Sequence, residues 1–98
     1  MRRVGLSLVA AALLAGCTQR WPEENREAFT RSCLATAHKN KPEAPEKVLV
    51  DYCECTADRL ERRFTLEQFE AIEQKSMREK KPAMELIEAV EECAGRVR

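Results

Sequence analysis

Tyr52-Cys53-Glu54-Cys55, followed by Phe64-Thr65-Leu66-Glu67-Gln68-Phe69, sets the architecture of this chain. The second segment reads as a helix start. Thr65 and Gln68 stand where a capping box needs them, each able to satisfy a backbone N–H at the helix entrance, and Phe64 and Phe69 occupy the two positions of a hydrophobic staple. A helix beginning there is preceded by one ending near residue 63, and that earlier helix carries both cysteines. At about 100° per residue, Cys53 and Cys55 point about 200° apart, so each suits a separate partner and they cannot easily bond each other. Residues 45–63 are therefore expected to form a central strut stapled to a helix before it and a helix after it.

Outward from that strut the pattern stays helical. Pro45-Glu46 opens it, with Leu49, Cys53 and Leu60 on one stripe and Val48, Tyr52 and Cys55 on another. Upstream, Pro22 followed by Glu23 and Glu24 combines a proline at the first position with acids at the positive end of a helix dipole. A first helix over about 22–39 carries Phe29, Cys33 and Ala37 at helical spacing, with Leu34 beside them, and the stretch Asn40–Glu43, containing Pro42, breaks it. Downstream, the third helix turns Leu66, Phe69 and Ile72 inward and is expected to fray through Arg78–Lys81. Pro82 is read as opening a fourth, striped by Leu86, Val90, Cys93 and Val97. Beyond residue 17 the only glycine is Gly95, and no stretch alternates apolar and polar residues for long. The fold class is all-α, a small bundle of about four short helices over residues 23–98.

The first seventeen residues are of another kind. Met1-Arg2-Arg3 precedes a run from Val4 to Gly16 that only Ser7 interrupts, the basic start and short apolar stretch of a secretory signal. A run of about thirteen residues falls short of the roughly twenty that a spanning helix needs. Leu14-Ala15-Gly16-Cys17 resembles the lipobox of bacterial lipoproteins. That resemblance implies cleavage after Gly16, a signal peptide over 1–16, and lipidation of Cys17 with acyl chains such as palmitate. Residues 17–22 would be the lipidated N-terminus and a short tether, with Trp21 either near the membrane interface or packed against the first helix. Two or three acyl chains hold a protein stably on a bilayer where one does not. Thr18 stands where the family's inner-membrane retention signal places Asp, so the expected address is the cell envelope, on the outer membrane facing the periplasm where there are two membranes.

Removing residues 1–16 from 98 leaves 82, with two fewer basic than acidic residues once Arg2 and Arg3 are gone. There is no basic stripe of the kind that marks a nucleic-acid protein, nor a polybasic segment that reads anionic lipid. With 35% charged residues and five aromatics in the whole chain, the core must be thin. Four cysteines remain beyond Cys17, and an even number in a short exported chain reads as two disulfides. The turn near Pro42–Glu43 puts Cys33 level with Cys53, which favours Cys33–Cys53 with Cys55–Cys93. Cys33–Cys55 with Cys53–Cys93 differs by one helical turn and stays open. Loops of this length are worth roughly 3 kcal/mol per bridge in the chain-entropy model.

Catalytic readings find little to work with. A redox pair at Cys53 and Cys55 would have one intervening residue in place of two, at mid-helix, beside Asp51, Glu54 and Asp58, whose charges raise a thiol pKa. A metal reading adds His38 to four thiolates, without the paired two-residue gaps of zinc knuckles. His38, beside Lys39 and Lys41, reads instead as a solvated residue at a helix end, where positive charge is favoured. Ser32 and Ser76 sit in no nucleophile motif, and Glu67, Glu70, Glu73, Glu85, Glu88, Glu91 and Glu92 fall as solvated helix faces. No cofactor is called for.

Residues 29–93 resemble a set of small exported bacterial proteins that share a cysteine on the first helix, a Tyr-Cys-x-Cys helix and a capped third helix. The resemblance implies the helical fold and the disulfides and brings no activity with it. The expected function is a lipid-anchored envelope domain with a binding or structural role and a protein partner. The alternative is an envelope thiol-redox or metal-binding protein that uses Cys53 and Cys55. A binding role predicts an exposed apolar patch, with Met77, Met84 and Trp21 as its candidates.

Overall fold

The computed structural model describes residues 20–97; the signal, the lipobox, Cys17 and its lipid attachment lie outside the described residues. Four helices follow one another: α1 Glu23–Asn40, α2 Glu46–Arg63, α3 Leu66–Glu79 and α4 Met84–Ala94, with a closing 3₁₀ turn Gly95–Val97. No strand occurs among the described residues. None of these helices is long and apolar enough to cross a membrane.

Three of the four starts follow proline, though not in the same way. Pro22 and Pro45 stand at the N-cap positions of α1 and α2, with Glu23, Glu24 and Glu46 in the first turns. Pro82 stands one residue farther out. Ala83 is extended at the N-cap of α4, so the helix opens at Met84 and not at Pro82, because residues 81–83 are spent crossing from α3 to α4. In α3 both bonds of the capping box are formed: Gln68 N–H donates to Thr65 Oγ1 at 3.1 Å and Thr65 N–H to Gln68 Oε1 at 2.9 Å. Its far end does not fray. Lys80 adopts the left-handed conformation, φ 55°, and the Lys80 and Lys81 N–H groups donate back to Met77 and Ser76 carbonyls as in a Schellman motif.

The helix backbones meet through α2, which α1 and α4 each approach closely, while the 3₁₀ turn returns Val97 to its flank. Two apolar clusters sit along α2. Near its start, Leu49 and Cys53 pack with Ala37 of α1, under half-buried Leu34, Tyr52 and Val97. Near its end, Leu60 packs with Trp21, Phe69 of α3 and Ala89 of α4, edged by Phe29, Phe64, Leu66 and Leu86. The expected stripes supply most of these side chains, while Ala57 and Ala89 add two fully buried contacts the periodicity did not single out. α3 is not among the helices that approach α2 closely along the backbone. Leu66 and Phe69 hold it to the second cluster.

Trp21 and Pro22, counted above with the tether, belong to the folded body. Trp21 is 5% exposed. Its ring lies 4.8 Å from Phe69 and 6.1 Å from Phe29, centroid to centroid, the latter edge-on. Of its two expected places, the structure shows the packed one.

Candidate functional site

The cysteines come first, because every chemical reading of the chain passes through them. Cys33 bonds Cys53 and Cys55 bonds Cys93, with Cα atoms 5.8 Å and 5.9 Å apart. The two bonds leave α2 on different sides, as the angle between positions 53 and 55 requires, one to α1 and one to α4. Cys53, Cys55 and Cys93 are buried. In this state none of these four cysteines offers a thiolate to attack or to ligate. His38, at the end of α1, lies elsewhere: its Nε2 is 2.7 Å from Glu46 across the α1–α2 turn. Among the described residues no group of three or more His, Cys, Asp and Glu side chains is placed to hold a metal ion.

The densest polar arrangement is one the sequence motifs did not announce. Glu61, 5% exposed on the inner face of α2, accepts the Trp21 backbone N–H at 3.1 Å on Oε2 and Arg26 Nη1 at 2.7 Å on Oε1. Arg26 spends its other terminal nitrogen on Asp58 at 2.9 Å. Burial lowers the Arg26 pKa, but the hydrogen bond to Asp58 and the charges of Glu61 and Asp58 outweigh it, leaving the guanidinium above its ordinary value. The Trp21 indole N–H donates to the Phe64 carbonyl at 3.1 Å. Main chain and ring of Trp21 are thus both fastened to the last turn of α2. On α2's other flank, Glu92 of α4 takes Arg59 and Arg63, each at 3.0 Å.

Two surface features remain, at opposite ends of α3. At its start, a crevice of about 250 Å³ opens between α1 and α3, with Trp21, Phe29 and Phe69 as its floor and Asn25, Glu70 and Glu73 on its walls. Desolvation, and secondarily the charge of Glu70, holds the Glu73 carboxyl above its ordinary value. Neither Glu70 nor Glu73 has an ion-pair partner among the described residues. At the far end, Met84, 63% exposed, lines a small cleft with Ile72, Ser76, Pro82 and Ala83, and Met77, 71% exposed, lies on α3 outside that lining. Lys75 and Lys81 line it with Glu79 and Glu85, and Arg78 and Lys80 are exposed in the same stretch of chain. Of the three residues expected to form an apolar patch, Met77 and Met84 are therefore at the surface and Trp21 is not.

No protein-family model, curated protein or solved structure matches the chain.

Proposed function

We propose that this is a lipid-anchored envelope lipoprotein whose small stapled domain works by binding a protein partner through the α3–α4 corner, without catalysing a reaction. The anchor rests on Leu14-Ala15-Gly16-Cys17, with lipid on Cys17 and, where there are two membranes, the outer one as the expected site. The observation that supports binding is the exposure of Met77 near the end of α3 and of Met84 at the start of α4, in a stretch that also carries exposed Lys75, Arg78, Lys80 and Lys81. Methionine adapts to irregular partner surfaces at little cost. Lysine and arginine around it complement an acidic rim. The alternative thiol or metal protein would first have to break two bonds whose sulfur atoms lie mostly in the interior.

Two measurements test the reading separately. Intact mass of protein extracted from membranes, with thiols blocked before reductant, should give a chain starting at Cys17 plus lipid and no blocking groups. Four blocked cysteines would revive the redox and metal alternative, and an unlipidated mass would remove the anchor. A photo-crosslinking residue at Met77 or Met84 should give one discrete adduct in cells. A control at Lys47, on the exposed start of α2, should give none. Equal, diffuse labelling from all three positions would remove the binding corner.

A further inference from the structure

We infer that the partner of the α3–α4 corner is held in the same membrane as the protein itself, and meets the corner with an acidic segment lying just outside the headgroups. This deepens the proposed binding role, and rests on it and on the proposed lipid at Cys17.

The first observation is where the leash ends. Cys17 and Trp21 are four residues apart, a span of at most about 14 Å when fully extended. Trp21 is fastened to the end of α2 through Glu61 and the Phe64 carbonyl, so the domain pivots about that point. The corner lies on the pivot's side of the molecule. Leu86, in the first turn of α4 with Met84, packs against the cluster that contains Trp21. Phe69 stacks on Trp21, and from Phe69 to Met77 α3 rises only about 12 Å. The α1–α2 turn is at the other end, beyond an α1 that rises about 27 Å. However the domain swings on its leash, the corner stays close to the headgroups while that turn ranges far from them.

The second observation is the size and charge of the contact. The corner offers two exposed methionines and a cleft of about 180 Å³. A stable interface buries about 800 Å² on each partner, more than two methionine side chains supply. Such a contact is weak between freely diffusing proteins, but it is filled when both partners are confined to one surface, because tethering raises the effective concentration without any new contact. Lys75 and Lys81 line the cleft, and Arg78 and Lys80 are exposed in the same stretch, against Glu79 and Glu85. That balance is complemented by a partner segment of net negative charge.

The test compares photo-crosslinking from Met84 in cells for three forms of the protein. One is the lipidated chain, its mass verified. The second carries a long Gly-Ser linker between Gln19 and Arg20, and in the third an ordinary cleaved secretory signal replaces residues 1–17. The adduct should fall severalfold in the second form and roughly tenfold in the third. Peptides mapped from it should be acidic and belong to a protein that itself spans the membrane or is anchored in it. Lys75→Glu and Lys81→Glu should each lower the yield severalfold with the circular dichroism unchanged, while Lys41→Glu, at the far end of the bundle, should not. An adduct undiminished without the lipid, one with a soluble protein, or one with a second copy of this chain would overturn the shared membrane. A yield that ignores Lys75→Glu and Lys81→Glu would overturn the acidic segment. No adduct from the lipidated chain would instead remove the corner as a binding site, and a mass without lipid would remove the anchor, so the failure of either earlier reading is told apart from the failure of this one.

Discussion

Glu61 shows what one residue can decide in a thin core. Its carboxylate answers two donors that reach it from Trp21 and Arg26, so removing it leaves the Trp21 N–H without an acceptor and the Arg26 guanidinium with Asp58 as its remaining carboxylate. Deleting one member of a buried charge pair typically costs 3–5 kcal/mol. Glu61→Ala is accordingly expected to lower urea stability by about 3 kcal/mol, with a red-shifted Trp21 emission as the ring loosens. Glu73 has the opposite sign. Its carboxyl is held above its ordinary value in the folded state, so the folded form binds the proton more tightly than the unfolded form. The stability this contributes is present in acid and is lost as pH rises through the folded-state value. Glu73→Gln should therefore melt higher than wild type at neutral pH, with the gap closing as pH falls toward the usual carboxylate range; a gap that widens in acid would contradict it. Neither role was legible in the residues alone. Glu61 follows Leu60 like any surface acid after a core residue, and only the return of Trp21 against that turn brings its donors. The fate of Trp21 could be narrowed to two places but not chosen, because the choice depends on the same return.

At the scale of elements, local chemistry carries further. The capping box and the proline starts of α1 and α2 are short-range devices, and they could be read from a handful of neighbours. Thr65→Ala should cost about 1 kcal/mol, and because Leu66 and Phe69 of the first turn are what hold α3 to the second cluster the loss should appear first as faster amide exchange through residues 66–72. At the other end, Lys80 sits in the left-handed region that glycine enters without a Cβ penalty. Lys80→Gly is expected to raise the melting midpoint, by about 0.5–1 kcal/mol in stability. The termini of α3 and α4 were the less legible ones. The left-handed stop at Lys80 has no glycine to announce it, and the extended Ala83 reflects the path between two helices, which is a tertiary demand. The stripe of α4 pointed to Leu86, Val90, Cys93 and Val97; Cys93 is completely buried, and so is Ala89, which the stripe left out.

Over the whole molecule, stability is concentrated in the two bonds that radiate from α2. They close loops with separations of 20 and 38 residues. In the chain-entropy model these are worth about 3 and about 4 kcal/mol, comparable to what a core of this size supplies. Reductant at neutral pH is expected to unfold the domain without denaturant, seen as loss of helical circular dichroism; a reduced form that stays folded would mean the two apolar clusters suffice. That α2 is a strut with partners on both sides followed from the angle between positions 53 and 55. The pairing itself rested on where the α1–α2 turn falls, which one helical turn of register would have changed.

The adjacency of Cys53 and Cys55 also governs what happens to a damaged copy. The two covalent rings are joined tail to head with only Glu54 between them. A protease that nicks the backbone anywhere from Cys33 to Cys93, other than at the two peptide bonds flanking Glu54, releases no fragment, because one ring or the other still links the halves. Both exposed interhelical crossings within that range, near Pro42 and near Pro82, are covered. Those two vulnerable bonds lie inside a helix, where a protease cannot extend the chain. In an oxidising compartment the domain can be cut at either crossing and remain one molecule.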